Sequence, residues 1–155
     1  MNKLIVDEAI NEARKNMNQG FGGPFGTVIT KNDEIVAVAS NSVLKDHDPT
    51  AHGEVNAIRK ACQTLGTHDL TGCKLYTTAY PCPMCLGAIM WSNIKDVYYG
   101  CTAKDTEDIG FRDDFMYDFI HNNMQDENTL KLTEYGREEC LNLFNEYISK
   151  DRTLY

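Results

Sequence analysis

The chain has 155 residues, 42% of them hydrophobic, which suits one compact domain, residues 1–155. Its formal net charge of −8 argues against a broad phosphate-binding surface, because nucleic-acid affinity rests on clustered Lys and Arg. No apolar run approaches the roughly 18 to 20 residues of a membrane span, and the opening MNKLIVDEAINEARK carries charges where a signal peptide carries its apolar stretch. A soluble, cytoplasmic protein with six reduced cysteines, acting on a small neutral molecule, is therefore expected.

In chain order, Ile5, Ala9, Ala13 and Met17 share one face of a predicted first helix, which the glycines and proline of residues 19–24 end. Residues 26–30 and 35–40 read as two strands joined by the turn Lys31-Asn32-Asp33-Glu34, a hairpin. Asp48-Pro49-Thr50 is a helix-start signal, Val55, Ile58, Cys62 and Leu65 mark the buried stripe of the helix that follows, and Gly66 stops it. Residues 74–78 predict a strand, 83–91 a third helix and 96–99 another strand. Beyond Thr102, Phe115 and Phe119, then Cys140, Leu143 and Tyr147, suggest two more helices around a candidate strand at 130–133. Such alternation favours an α/β fold with helices on both faces of a sheet and pockets at the carboxyl ends of its strands. Cys62, Cys73, Cys101 and Cys140 read as small core residues.

The chemistry concentrates in Thr50-Ala51-His52-Gly53-Glu54 and Pro81-Cys82-Pro83-Met84-Cys85, each opening a predicted helix. At a helix N-terminus the free amides and the macrodipole stabilise thiolates, the form in which cysteine binds zinc. Cys82 and Cys85 with His52 make a nitrogen and two-thiolate set that leaves a fourth tetrahedral position open, as catalytic zinc sites require and closed structural sites do not. Glu54, two residues beyond His52, can then stand beside that position and carry a proton. Alone, the CxxC pair is equally compatible with buried, inert thiols.

Together the HxE and PCxxC stretches match the zinc-deaminase signature, and the chain resembles the cytidine-deaminase superfamily over nearly its whole length. Gly22-Gly23-Pro24-Phe25-Gly26, Asp48-Pro49-Thr50-Ala51-His52, Pro81 to Ile89 and Gly110-Phe111-Arg112-Asp113-Asp114-Phe115 look like the guanine deaminase branch. The resemblance implies a three-layer α/β/α fold with a central mixed five-stranded sheet. It also implies one Zn2+ per chain held by His52, Cys82 and Cys85, with Glu54 as catalytic proton shuttle. Asn41 becomes a base-binding amide, Phe25 a wall against the ring, and Asp113 and Tyr155 late contacts to a purine. Residues 145–155 are then a candidate C-terminal lid over the chain's own site or a partner's, and a homodimer is expected, with exchange of this segment as one of its two arrangements. Gly53 stands where guanine deaminases usually have alanine and resembles some cytosine deaminases; Tyr80 replaces a common glutamate. The alternatives are a guanosine or cytosine deaminase, a tRNA adenosine deaminase, and a zinc-stabilised interaction module without chemistry.

Overall fold

The computed structural model describes residues 2–151 and 153–155. The chain forms two compact units, Met1–Asp114 and Phe115–Tyr155.

In the first unit, the Asn2 side chain accepts the Leu4 N–H at 3.1 Å and so caps α1 (Lys3–Asn18). Strands β1 (Gly26–Lys31) and β2 (Glu34–Ser40) form the expected hairpin. Its two turn residues, Asn32 and Asp33, both have positive φ (51° and 65°), the backbone that matches the twist of the flanking strands and that Asn and Asp tolerate. A short α2 (Val43–Asp46) precedes α3 (Gly53–Leu65), and β3 (Cys73–Ala79), α4 (Pro83–Trp91) and β4 (Asp96–Cys101) follow. The sheet order is β2-β1-β3-β4, with β1 antiparallel to both its neighbours and β3 parallel to β4 across the α4 connection.

Because side chains alternate along a strand, neighbouring residues of β1 and β3 serve opposite layers. Val28 and Tyr76 pack with Ile5 and Ala9 of α1 on one face. Ile29, Leu75 and Ala37 pack with Ala57 and Ala61 of α3, Ile89 of α4, Leu70 and Ile94 on the other. This second cluster is the main core, and each fully buried Leu or Ile in it contributes about 1.5 to 3 kcal/mol. Gly26 is required where α1 crosses the start of β1, since a Cβ there would lie 2.0 Å from the Ala9 carbonyl oxygen.

The α/β/α layering of this unit is as expected, but the mixed sheet has four strands, not five. No strand forms at 130–133. Asp126 accepts from Asn128 N–H and Thr129 Oγ1 and folds the preceding chain into a turn, Leu130 and Leu132 are exposed, and no neighbouring strand among the described residues supplies the ladder that an isolated one needs. The α3 helix starts at Gly53, later than the Asp48 signal suggests, because Asp48 accepts from Thr50 N and Oγ1 and closes its own turn. Its buried stripe is also shifted to Glu54, Ala57 and Ala61, with Ile58, Cys62 and Leu65 at the margin. Helix α5 (Ala103–Asp108), absent from the sequence reading, carries a capping box between Thr102 and Asp105. Helices α6 (Asp114–His121) and α7 (Arg137–Ser149) form where the aromatic spacing suggests, yet no described residue of the second unit is buried. All six cysteines are free thiols; Cys73 is buried, while Cys101 and Cys140 are exposed and not core residues.

Candidate active site

The sheet topology gathers the chemistry at one end. With β1 antiparallel to β3, the residues before β1, those after β2 and those after β3 all emerge on the same side. Asn41 N–H donates to the Phe25 carbonyl at 2.9 Å, and Thr78 Oγ1, near the end of β3, accepts from Gly26 N–H and donates to the Pro24 carbonyl. Onto this end come the N-termini of α3 and α4, with His52 and Cys82 as their respective N-cap residues. Asn56, one turn into α3, ties the loops together. Its Nδ2 donates to the Ser40 carbonyl at 3.0 Å, Ser42 Oγ at 2.9 Å and, at 3.3 Å, the carbonyl of Ala51, the residue before His52.

His52 Nδ1 lies 3.7 Å from Cys82 Sγ and 3.5 Å from Cys85 Sγ, and the three ligand atoms are all within 4.8 Å of one another. Zinc bonds of their usual lengths at a tetrahedral angle place a nitrogen and a sulfur about 3.6 Å apart, so both nitrogen–sulfur distances fit that ion. The electrostatics agree. The Cys82 thiol is drawn down to about 4, chiefly by its hydrogen bond with Cys85 and helped by His52. The Cys85 thiol is pushed up by the same bond to a charged Cys82 and then by burial. The pair thus holds one negative charge readily, and a second only with a cation between the sulfurs, which is what a zinc ion supplies. Cys82 also raises the pKa of His52 by hydrogen bonding.

Glu54 is buried against this set. Its Oε1 accepts from Thr77 Oγ1 at 3.0 Å and its Oε2 from Cys85 Sγ at 3.4 Å, and burial pushes its carboxyl upward. No fourth His, Cys, Asp or Glu joins the cluster among the described residues, so the arrangement is that of an open site with a carboxylate beside it.

Asn41 is buried; its Oδ1 accepts from Val43 N–H at 3.2 Å, and nothing among the described residues accepts from its Nδ2. Phe25 is half-buried and meets Phe111 edge to face, with ring centroids 5.0 Å apart. Gly23 lies against both rings, since a Cβ there would come within 2.7 Å of Phe25. Asp113 is half-buried; its carboxyl is raised first by burial and then by Cys82, whereas its neighbour Asp114 pairs with Arg112 at 2.7 Å. The charges on Cys82, Glu54 and Asp113 all raise the pKa of His52, and Cys82 raises that of Asp113. Tyr155 belongs to the second unit and is exposed. Sequence reading missed Thr77, Asn56 and Phe111 as site residues. A threonine inside a strand and an asparagine inside a helix carry no motif, and Phe111 was visible only as part of a longer run.

The pattern of the cytidine and deoxycytidylate deaminase zinc-binding region matches residues 1–101. A guanine deaminase of Bacillus subtilis (strain 168) is 48% identical over 115 residues, covering 74% of each chain. A tRNA-specific adenosine deaminase of Aquifex aeolicus (strain VF5) is 38% identical over 154 residues, or 97% of this chain and 95% of the relative. The X-ray structure of guanine deaminase from Bacillus subtilis superposes with a TM-score of 0.90 at 40% identity, covering 100% of this chain and 99% of that one. With the matched region spanning both helix starts that carry His52, Cys82 and Cys85, the chain belongs to the zinc-binding cytidine and deoxycytidylate deaminase family.

Proposed function

We propose that the chain is a guanine deaminase, which hydrolyses the exocyclic amine at C2 of the free base to give xanthine and ammonia. The observation that carries this reading is the full-length likeness to the Bacillus guanine deaminase structure, which continues beyond residue 101, where the shared family pattern ends. Zinc, when held by His52, Cys82 and Cys85, is a Lewis acid that brings the pKa of water toward neutrality. Glu54 takes one proton from the attacking water and gives it to the ring nitrogen beside C2 as the C2–O bond forms, then takes the second from the new C2 hydroxyl and gives it to the amine as the C2–N bond breaks. The Asp113 carboxylate accepts the exocyclic N–H groups, and the Asn41 Nδ2 donates to an acceptor of the base. Phe25 and Phe111 wall the ring and exclude water.

A tRNA deaminase reading is favoured by the Aquifex relative, but a net charge of −8 opposes a polyanionic substrate. Gly53 favours cytosine: a Cβ there would sit 3.0 Å from the Phe25 carbonyl oxygen and Thr27 Oγ1, so glycine also serves close packing of α3 on β1. Ammonia release from guanine, guanosine, cytosine, adenine and a tRNA anticodon stem-loop tests the assignment. Guanine is expected to give the highest kcat/KM, and a higher value for any other substrate overturns it.

The active form in this reading is a cytoplasmic homodimer with an exchanged C-terminal segment. The described residues include no helix long and apolar enough to cross a membrane. The second unit displays Phe115, Ile120, Leu143, Phe144 and Ile148 at its surface, an apolar set that a second copy would cover. Tyr155, with residues 145–155 as a lid, then completes a purine pocket. Deleting residues 152–155, of which Arg152 lies outside the described residues, is expected to leave folding and zinc content intact and to lower kcat/KM for guanine roughly 10-fold or more. Unchanged guanine kinetics would remove the lid.

A further inference from the structure

Glu54 is held by more than its neighbours in the metal set. Thr77, in the middle of β3, donates from Oγ1 to Glu54 Oε1 at 3.0 Å and accepts in turn from Thr27 Oγ1 at 3.3 Å. Both threonines are 0% exposed, and they are direct cross-strand partners in the β1–β3 register. A threonine hydroxyl has one hydrogen to give, and the receiving bond from Thr27 commits that of Thr77 to the carboxylate. Gly53 leaves the room for this, since a Cβ there would press to 3.0 Å on Thr27 Oγ1.

We infer that Thr77 is the positioning residue of the proton-carrying carboxylate, with Thr27 as its second link, and that together they make the two oxygens of Glu54 inequivalent. Oε1 is pinned to the sheet. The other oxygen, Oε2, accepts from Cys85 Sγ at 3.4 Å, and Cys85 as a metal ligand is a thiolate with no hydrogen to donate, so Oε2 is the oxygen left to take and return the proton. Both threonines are buried in paired strands, so the carboxylate keeps its aim while its protonation changes. A rotamer error of this group costs far more in the transition state than in binding, because misplacement by about 1 Å can lower the rate about 100-fold.

This rests on Glu54 as the proton carrier, and the test separates the two. Thr77→Val keeps the shape and loses the hydroxyl; Thr77→Ser keeps the hydroxyl. For Thr77→Val we expect full zinc, a KM for guanine within about 2-fold of the parent and a kcat lower by about 10- to 100-fold, with Thr77→Ser restored to within about 3-fold. A double cycle on the melting temperature of the metal-free protein gives a readout independent of turnover: Glu54→Ala and Thr77→Val remove the same bond, so their shifts do not add. A kcat for Thr77→Val within about 3-fold of the parent overturns the inference, as do a Thr77→Ser protein as slow as Thr77→Val and fully additive melting shifts. Should Thr77→Val fail to fold or hold zinc, Thr27→Val decides: a kcat loss of about 3- to 10-fold at unchanged KM supports the chain of hydroxyls, and a parental kcat ends it. Normal turnover in Glu54→Gln would instead sink the role of Glu54 itself. An inactive Glu54→Gln beside a fully active Thr77→Val removes only Thr77.

Discussion

Glu54→Gln is expected to keep one zinc per chain and to release ammonia from guanine at least about 100-fold more slowly, the lower range for removal of a general acid and base. The amide is close in shape to the carboxylate, and its oxygen can still accept from Thr77 Oγ1, so the first turn of α3 has no reason to move. What disappears is the capacity to take a proton and hand it back. Melting should be unchanged or raised, because Glu54 is 5% exposed and burying its charge costs stability that a neutral amide does not. Zinc analysis, melting and steady-state kinetics on one preparation settle the matter. Near-normal turnover with full zinc would assign the proton transfer elsewhere. Turnover lost together with zinc would mean that Glu54 serves the metal site. A zinc-stabilised module without chemistry would show no turnover to lose.

Cys82→Ala and Cys85→Ala are each expected to empty the site. Removing one thiolate from a set of three leaves the other two donors in a geometry arranged for an ion they no longer hold tightly. It also removes the hydrogen bond through which the two thiols share a charge. If the parent binds zinc about 1,000-fold above its Kd in the working buffer, loss of binding removes about 4 kcal/mol of linkage stabilisation, or roughly 10 °C of melting temperature for a chain of this size. The parent treated with a chelator should melt near the cysteine variants. Cys101→Ala, an exposed thiol outside the cluster, should bind zinc and melt as the parent does. Full zinc occupancy and parental melting in both Cys82→Ala and Cys85→Ala would end the proposed coordination.

Where the signal was local, the sequence alone determined the outcome. The Asn32-Asp33 turn, the Cys82 boundary of α4 and the alternation of β1, β2 and β3 with α3 and α4 follow from backbone preferences of a few residues. The metal cluster and the carboxylate beside it were legible for the same reason, since His52, Cys82, Cys85 and Glu54 fall at two helix starts whose chemistry can be read without knowing how far apart they lie. Tertiary structure decided what depends on a partner distant in sequence. Residues 130–133 alternate apolar and polar as a half-buried strand would, but with no neighbouring ladder among the described residues Leu130 and Leu132 stay in an exposed loop, and the sheet has four strands. The α3 stripe settled on Glu54, Ala57 and Ala61, because the small Ala57 and Ala61 let the helix approach the sheet closely and leave Ile58 to pack at the margin. Thr77 acquired its place beside Glu54 only through the β1–β3 register and the closeness of α3. A hydroxyl in the middle of a strand is indistinguishable in sequence from one that merely fills space; its partner in the fold makes the difference.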